Sequence, residues 1–133
     1  MSNHVEACNN CIQKCNDCVS ACKKCIEGCK GGECDSSTMK TCIQKCQDCI
    51  KACQECIVQC KDFIKNSKDQ AAIKKMQECI SKCEACIKAC EKCCKDCTIG
   101  GKQCTDSCQA CIEACNACIQ ACKECIKSDS CCK

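Results

Sequence analysis

One residue type returns along this chain at steps of three, four, three and four, and polar side chains fill most of the gaps. The first run is Cys8, Cys11, Cys15, Cys18, Cys22, Cys25 and Cys29. The second is Cys42, Cys46, Cys49, Cys53, Cys56 and Cys60. The third is Cys79, Cys83, Cys86, Cys90, Cys93 and Cys97, and the fourth is Cys104, Cys108, Cys111, Cys115, Cys118, Cys122 and Cys125. A step averaging about 3.5 residues marks the a/d seam of a helix packed against other helices. The rhythm predicts four amphipathic helices with thiols where other proteins place leucine.

The flanking positions sharpen this reading. With Cys at a and d, Ile or Val takes e, as in Ile12, Val19, Ile43 and Ile50. Small residues take several g positions, among them Ala7, Ala21, Ala52, Ala89, Ala114 and Ala121. Lys, Glu, Gln, Asp and Asn fill most of b, c and f. Sulfur is thus expected on the common axis, with Ile rows and small residues packing between neighbouring helices. Breaks fall at Gly31-Gly32, with Asp35-Ser36-Ser37 as possible N-caps, at Asn66-Ser67-Lys68-Asp69, and at Thr98-Ile99-Gly100-Gly101. Counted through the seam positions that Phe63 and Met76 hold, each seam covers about 21–24 residues, roughly 32–36 Å at 1.5 Å per residue. Matched lengths and short connections predict an all-α, up-down-up-down antiparallel four-helix bundle with a cysteine-lined core. Residues 1–133 read as one such domain.

Composition changes the picture in two ways. Thirty of the 133 residues are cysteine, and Phe63 is the only aromatic residue. Without its thiols the chain would have little to bury. The formal charge is +3, with all basic residues Lys and interspersed with Asp and Glu, so no basic patch for nucleic acid is expected. Met1-Ser2-Asn3-His4-Val5-Glu6 carries no basic region followed by an apolar stretch, and no apolar run reaches membrane-spanning length. A cytoplasmic location without membrane contact is expected. A reducing compartment keeps thiols free, which favours metal over a disulfide framework.

A single buried thiol is ordinary core filler, but more than twenty in register are not. Disulfides between neighbouring helices are disfavoured, because axes lie about 8–10 Å apart whereas a disulfide wants Cα atoms within about 7 Å. A metal bridging two sulfurs spans about twice a bond of ~2.3 Å, which suits sulfurs facing across a core. Thiolate softness selects Cu(I), Zn(II) or iron–sulfur clusters. Four-thiolate Zn(II) sites each carry two negative charges, and many of them stacked in a core without buried cations would be costly. Cu(I) replaces a thiol proton with one positive charge and leaves the core near neutral, so Cu(I) is the favoured ion. The ferredoxin cysteine run and its proline are absent. No βαβ pattern surrounds a Cys-x-x-Cys, and the one histidine, His4, is expected at a frayed terminus as an incidental residue. The chain is expected not to be an enzyme.

Four Cys-seam helices with repeated Cys-x-x-Cys, including Cys15-Asn16-Asp17-Cys18, Cys46-Gln47-Asp48-Cys49, Cys83-Glu84-Ala85-Cys86 and Cys115-Asn116-Ala117-Cys118, resemble the bacterial copper storage proteins over about residues 6–128. The resemblance implies a bundle core filled with Cu(I)–thiolate, many ions per chain, and copper storage or detoxification. It also implies a homo-oligomer, often a tetramer, and the absent signal is similar to the cytosolic branch. Copper would arrive from a copper chaperone or a small-molecule thiol donor. The alternatives are a metallothionein-like Zn(II)/Cd(II) buffer and a structural bundle with a thiol core. Members of the cytosolic branch commonly carry His near the bundle mouth, whereas this chain has only His4, and Cys34, Cys94, Cys131 and Cys132 lie off the regular seam.

Antiparallel order assigns the ends. One end collects Cys29, Cys34, Met39, Cys97 and Cys104 beside two Gly-Gly loops, and Cu(I) is expected to enter there, with Cys34 and Met39 as outer ligands. The other end is expected to hold Val5, Phe63, Ile64, Ile73 and Met76, together with Cys131 and Cys132. Phe63 and Met76 replace Cys in the seam, which predicts a hydrophobic plug. Cys94 takes an e position and is expected between helices rather than in the metal core.

Overall fold

The structure, a computed structural model, describes residues 3–30 and 35–131. They form α1 (Asn3–Lys30), α2 (Ser36–Asn66), α3 (Gln70–Ile99) and α4 (Gly101–Cys131), with no strand among the described residues. Each helix packs against two neighbours in the cyclic order α1, α2, α3, α4 and stands diagonal to the third. Sulfur pairs set the direction. Across α1 and α2, Cys8 meets Cys56, Cys15 meets Cys49 and Cys22 meets Cys42, so one chain rises as the other falls. The same antiparallel order joins α3 to α4 through Cys79–Cys122, Cys86–Cys115 and Cys93–Cys108. This is the expected up-down-up-down bundle.

The helices outrun their cysteine seams. The α2 helix is 31 residues long and α3 is 30. The segments expected as breaks are therefore mostly helical: Ser36 and Ser37 open α2, Asn66 closes it, Thr98 and Ile99 finish α3, and Gly101 starts α4. Side-chain caps allow this extension. The Asp35 carboxylate accepts from Ser37 N at 2.9 Å, and Asp69 accepts from Ala71 N and Ala72 N at 3.1 and 3.2 Å. Such a cap stabilises a helix by ~1 kcal/mol. Gly31-Gly32 lies outside the described residues.

Only Gly100 separates α3 from α4. Gly100 and Gly101 have φ of 84° and 71°, a left-handed region that costs an L-residue but not glycine. A clamp on the buried Asp96 and Ser107, with the exposed Lys92 outside, holds this turn. The Asp96 carboxylate accepts from Lys92 Nζ at 2.7 Å and from Ser107 Oγ of α4, while Gly100 N donates to Asp96 O at 2.8 Å.

The core follows the heptad assignment. Val19, Ile112 and Ile119 are buried, and heptad isoleucines such as Ile12, Ile43, Ile50 and Ile87 flank the sulfur column half-buried, whereas Ile99 at the end of α3 is exposed. Ala7, Ala21, Ala52 and Ala121 are buried where helices approach, and Ala89 and Ala114 are partly so.

Candidate metal centre

Antiparallel register stacks the seam cysteines in layers, one from each helix. Cys8, Cys56, Cys79 and Cys122 form one layer. Cys11, Cys53, Cys83 and Cys118 form the next. Below it lie Cys15, Cys49, Cys86 and Cys115, then Cys18, Cys46, Cys90 and Cys111. Cys22, Cys42, Cys93 and Cys108 complete the all-cysteine stack. Every sulfur in these layers belongs to a fully buried residue. In the central layer Cys49 Sγ lies 3.5 Å from Cys15, 3.7 Å from Cys86 and 4.0 Å from Cys115. These are contacts between free thiols, far longer than a disulfide bond of ~2.05 Å.

Those spacings suit a soft cation. With metal–sulfur bonds of ~2.3 Å, sulfurs at tetrahedral corners lie about 3.8 Å apart and in a trigonal plane about 4.0 Å. Sulfurs from adjacent layers also approach, and four-donor groups with all ligand atoms within 4.8 Å of one another include Cys11, Cys15, Cys53 and Cys118, and Cys15, Cys49, Cys53 and Cys86. Cys15 and Cys53 belong to both groups. The core is thus a connected column of overlapping donor sets rather than a row of separate sites, and it can hold several metal ions per chain.

Hydrogen bonding splits the thiols electrostatically. In the central layer, hydrogen bonds from neighbouring thiols, Cys115 foremost and then Cys15, bring Cys49 down to about 7. Cys115 likewise leads in holding Cys86 far below the ordinary thiol range. Cys15, tied first to Cys11 and then to Cys115, is pushed well above that range, and so is Cys115, tied first to Cys111. Burial opposes thiolate formation in all four. A thiolate that accepts S–H from its neighbours is stabilised, and the donors keep their protons. No Lys is buried among the described residues, so no buried ammonium compensates negative charge in the column.

At one end, register places Met39 opposite Cys25 beside Cys97 and Cys104. Cys104 Sγ lies 3.4 Å from Cys25 and 3.0 Å from Cys97. Met39 is half-buried and lines, with Cys29, Lys30, Gly100, Gly101, Lys102, Thr105 and Asp106, a cavity of about 510 Å³. Cys34 lies outside the described residues, as does Cys132. Cys94 stands away from the column as expected: half-buried, its Sγ donates to Ile43 O of α2 at 3.6 Å.

The opposite end corrects the sequence reading. Met76 is fully buried and Phe63 half-buried, in keeping with a plug. His4, however, is not an incidental terminal residue. It is 3% exposed in the second residue of α1, its ring 5.3 Å from that of Phe63, its Nε2 3.5 Å from Cys8 Sγ. His4, Cys8, Cys60 and Cys125 form a buried four-donor group. The signal was in the chain: His4 continues the rhythm of Cys8, Cys11 and Cys15 one step outward.

No helix among the described residues is long and apolar enough to cross a membrane. Comparison with protein-family models, with curated proteins and with solved structures found no match to this chain.

Proposed function

We propose that this protein stores Cu(I), binding many ions through the thiolates of its core, in the manner of the copper storage proteins its cysteine seams resemble. The observation that carries this reading is the sharing of sulfurs between overlapping donor sets in a column without buried lysine. A metal core of this kind needs bridging thiolates and near charge balance. One Cu(I) per thiolate meets both conditions. Divalent ions at four thiolates apiece would leave two negative charges per site in a low-dielectric interior. Capacity then lies between about half the number of core thiols and all of them, since each Cu(I) takes two or three sulfurs and each sulfur can bridge. Sequestration lowers free Cu(I) and keeps it from redox chemistry in solution. The protein's role is binding rather than catalysis.

A second reading has its own support. Sulfur–sulfur distances near the edge of a ZnS4 tetrahedron also suit a Zn(II) or Cd(II) buffer. Anaerobic titration of the reduced chain against a Cu(I) chelator separates the two. Tight binding of many Cu(I) per chain, retained against Zn(II), supports storage. Stoichiometric Zn(II) binding without Cu(I) preference overturns it in favour of the divalent buffer, and binding of neither leaves a structural bundle.

A further inference from the structure

At the plugged end the column changes chemistry. The donor set there is one imidazole and three thiols: His4 and Cys8 from α1, Cys60 from α2 and Cys125 from α4. All four residues are buried, and their ligand atoms lie within 4.8 Å of one another. The helix that contributes no thiol, α3, places fully buried Met76 in this region. We propose that His4, Cys8, Cys60 and Cys125 form a distinct Cys3His site for a borderline divalent cation of the Zn(II) class, closing the end of the bundle away from the Met39 cavity.

Three considerations favour that ion here. Cys3His is a complete tetrahedral set for structural Zn(II), with bonds of ~2.3 Å to sulfur and ~2.0–2.1 Å to nitrogen. Those bonds require a nitrogen–sulfur edge of about 3.6 Å, and His4 Nε2 already lies 3.5 Å from Cys8 Sγ. Replacing one thiolate by a neutral imidazole leaves one net negative charge instead of two, which lowers the burial cost that weighs against Zn(II) in the all-thiol layers. Imidazole is also a harder donor than thiolate, whereas the thioether of Met76 is soft and a poor ligand for Zn(II). Binding asks for a small rearrangement, because Cys125 Sγ now donates to Lys75 O at 3.4 Å and must turn inward once its proton is lost. The Phe63 ring, in contact with His4, limits how far the imidazole can swing away. Such an ion would tie the first turn of α1 to α2 and α4 and leave metal exchange to the other end.

The site is independent of the Cu(I) reading, and its test uses no copper. The reduced full-length chain is titrated anaerobically with Co(II), then back-competed with Zn(II), while absorption reports the donor set. The first equivalent is expected to show tetrahedral Co(II) with three sulfurs and one nitrogen. In His4→Ala it should shift to an all-sulfur spectrum. Its affinity should fall by more than the roughly 10- to 100-fold that follows loss of a mere outer partner to a ligand. Met76→Leu should leave the spectrum unchanged. An all-sulfur first equivalent in the wild type, or the same spectrum in His4→Ala, overturns the proposal, and so does a spectral change in Met76→Leu. Should His4→Ala fail to fold, the wild type loaded with one equivalent of ¹¹³Cd decides. Coupling between cadmium and the His4 imidazole nitrogen supports the site, and its absence refutes it.

Discussion

Replacing Cys49 by serine tests whether the column is a dry, continuous sulfur core. Cys49 is fully buried and meets three other thiols at 3.5, 3.7 and 4.0 Å. A hydroxyl there would face only sulfur, a weak acceptor, at distances well beyond the ~2.7–2.8 Å preferred for O–H···O. A buried polar group left in that state costs about 1–3 kcal/mol. Cys49→Ala removes the sulfur without adding a polar group and costs about 1 kcal/mol by lost burial, with a further contribution from the cavity. For a chain of this size each kcal/mol lowers Tm by about 3–6 °C. Melting of the metal-free, reduced proteins followed by circular dichroism should rank wild type first, then Ala, then Ser. Both variants should also lose about one Cu(I) of capacity or less in chelator-competed titrations, because the neighbouring thiols still bridge. A serine variant that melts with the wild type would refute the dry core. A capacity loss of several ions would refute the sharing of sulfurs.

Further outcomes follow from the ends and the charges. Met39→Ala should slow Cu(I) loading in stopped-flow measurements and leave the final capacity nearly unchanged, while Phe63→Leu at the far end should not slow it; equal rates would remove Met39 from the uptake route. Met76→Ala empties a fully buried site and should destabilise the metal-free bundle by about 2–5 kcal/mol in anaerobic denaturant unfolding. Hydrogen bonds from Lys92 first, and then from Ser107, hold the Asp96 carboxyl below its ordinary value. A depressed folded-state value means stability that is present above the ordinary aspartate range and lost as pH falls through the folded value, so Asp96→Asn should lower Tm at neutral pH and flatten its dependence below the ordinary aspartate range. Metal uptake should release protons from the thiols held high, such as Cys15. Cys49, at about 7, and Cys93, brought to about 6 first by a hydrogen bond from Cys108, should release progressively fewer as the starting pH rises from 6 to 8, measurable by titration in weak buffer.

The chain's spacing alone determined the helices, their number, their antiparallel order and the seam that holds the thiols, because a 3.5-residue rhythm admits one buried stripe per helix and short connections admit one path between neighbours. Helix ends were less legible. Caps at Asp35 and Asp69 carried α2 and α3 beyond their cysteine runs, and glycine conformation compressed the last turn to Gly100. The tertiary structure alone decided register: which cysteines share a layer, which sulfurs belong to two donor sets, and that Met39 stands opposite Cys25. It also decided the fate of His4. A residue near a terminus looks peripheral in one dimension, but α1 begins at Asn3 and its seam runs straight through position 4, so the imidazole comes to rest beside Cys8, Cys60 and Cys125. Periodicity names the face a side chain occupies; only the packing of three other helices fixes what it meets there.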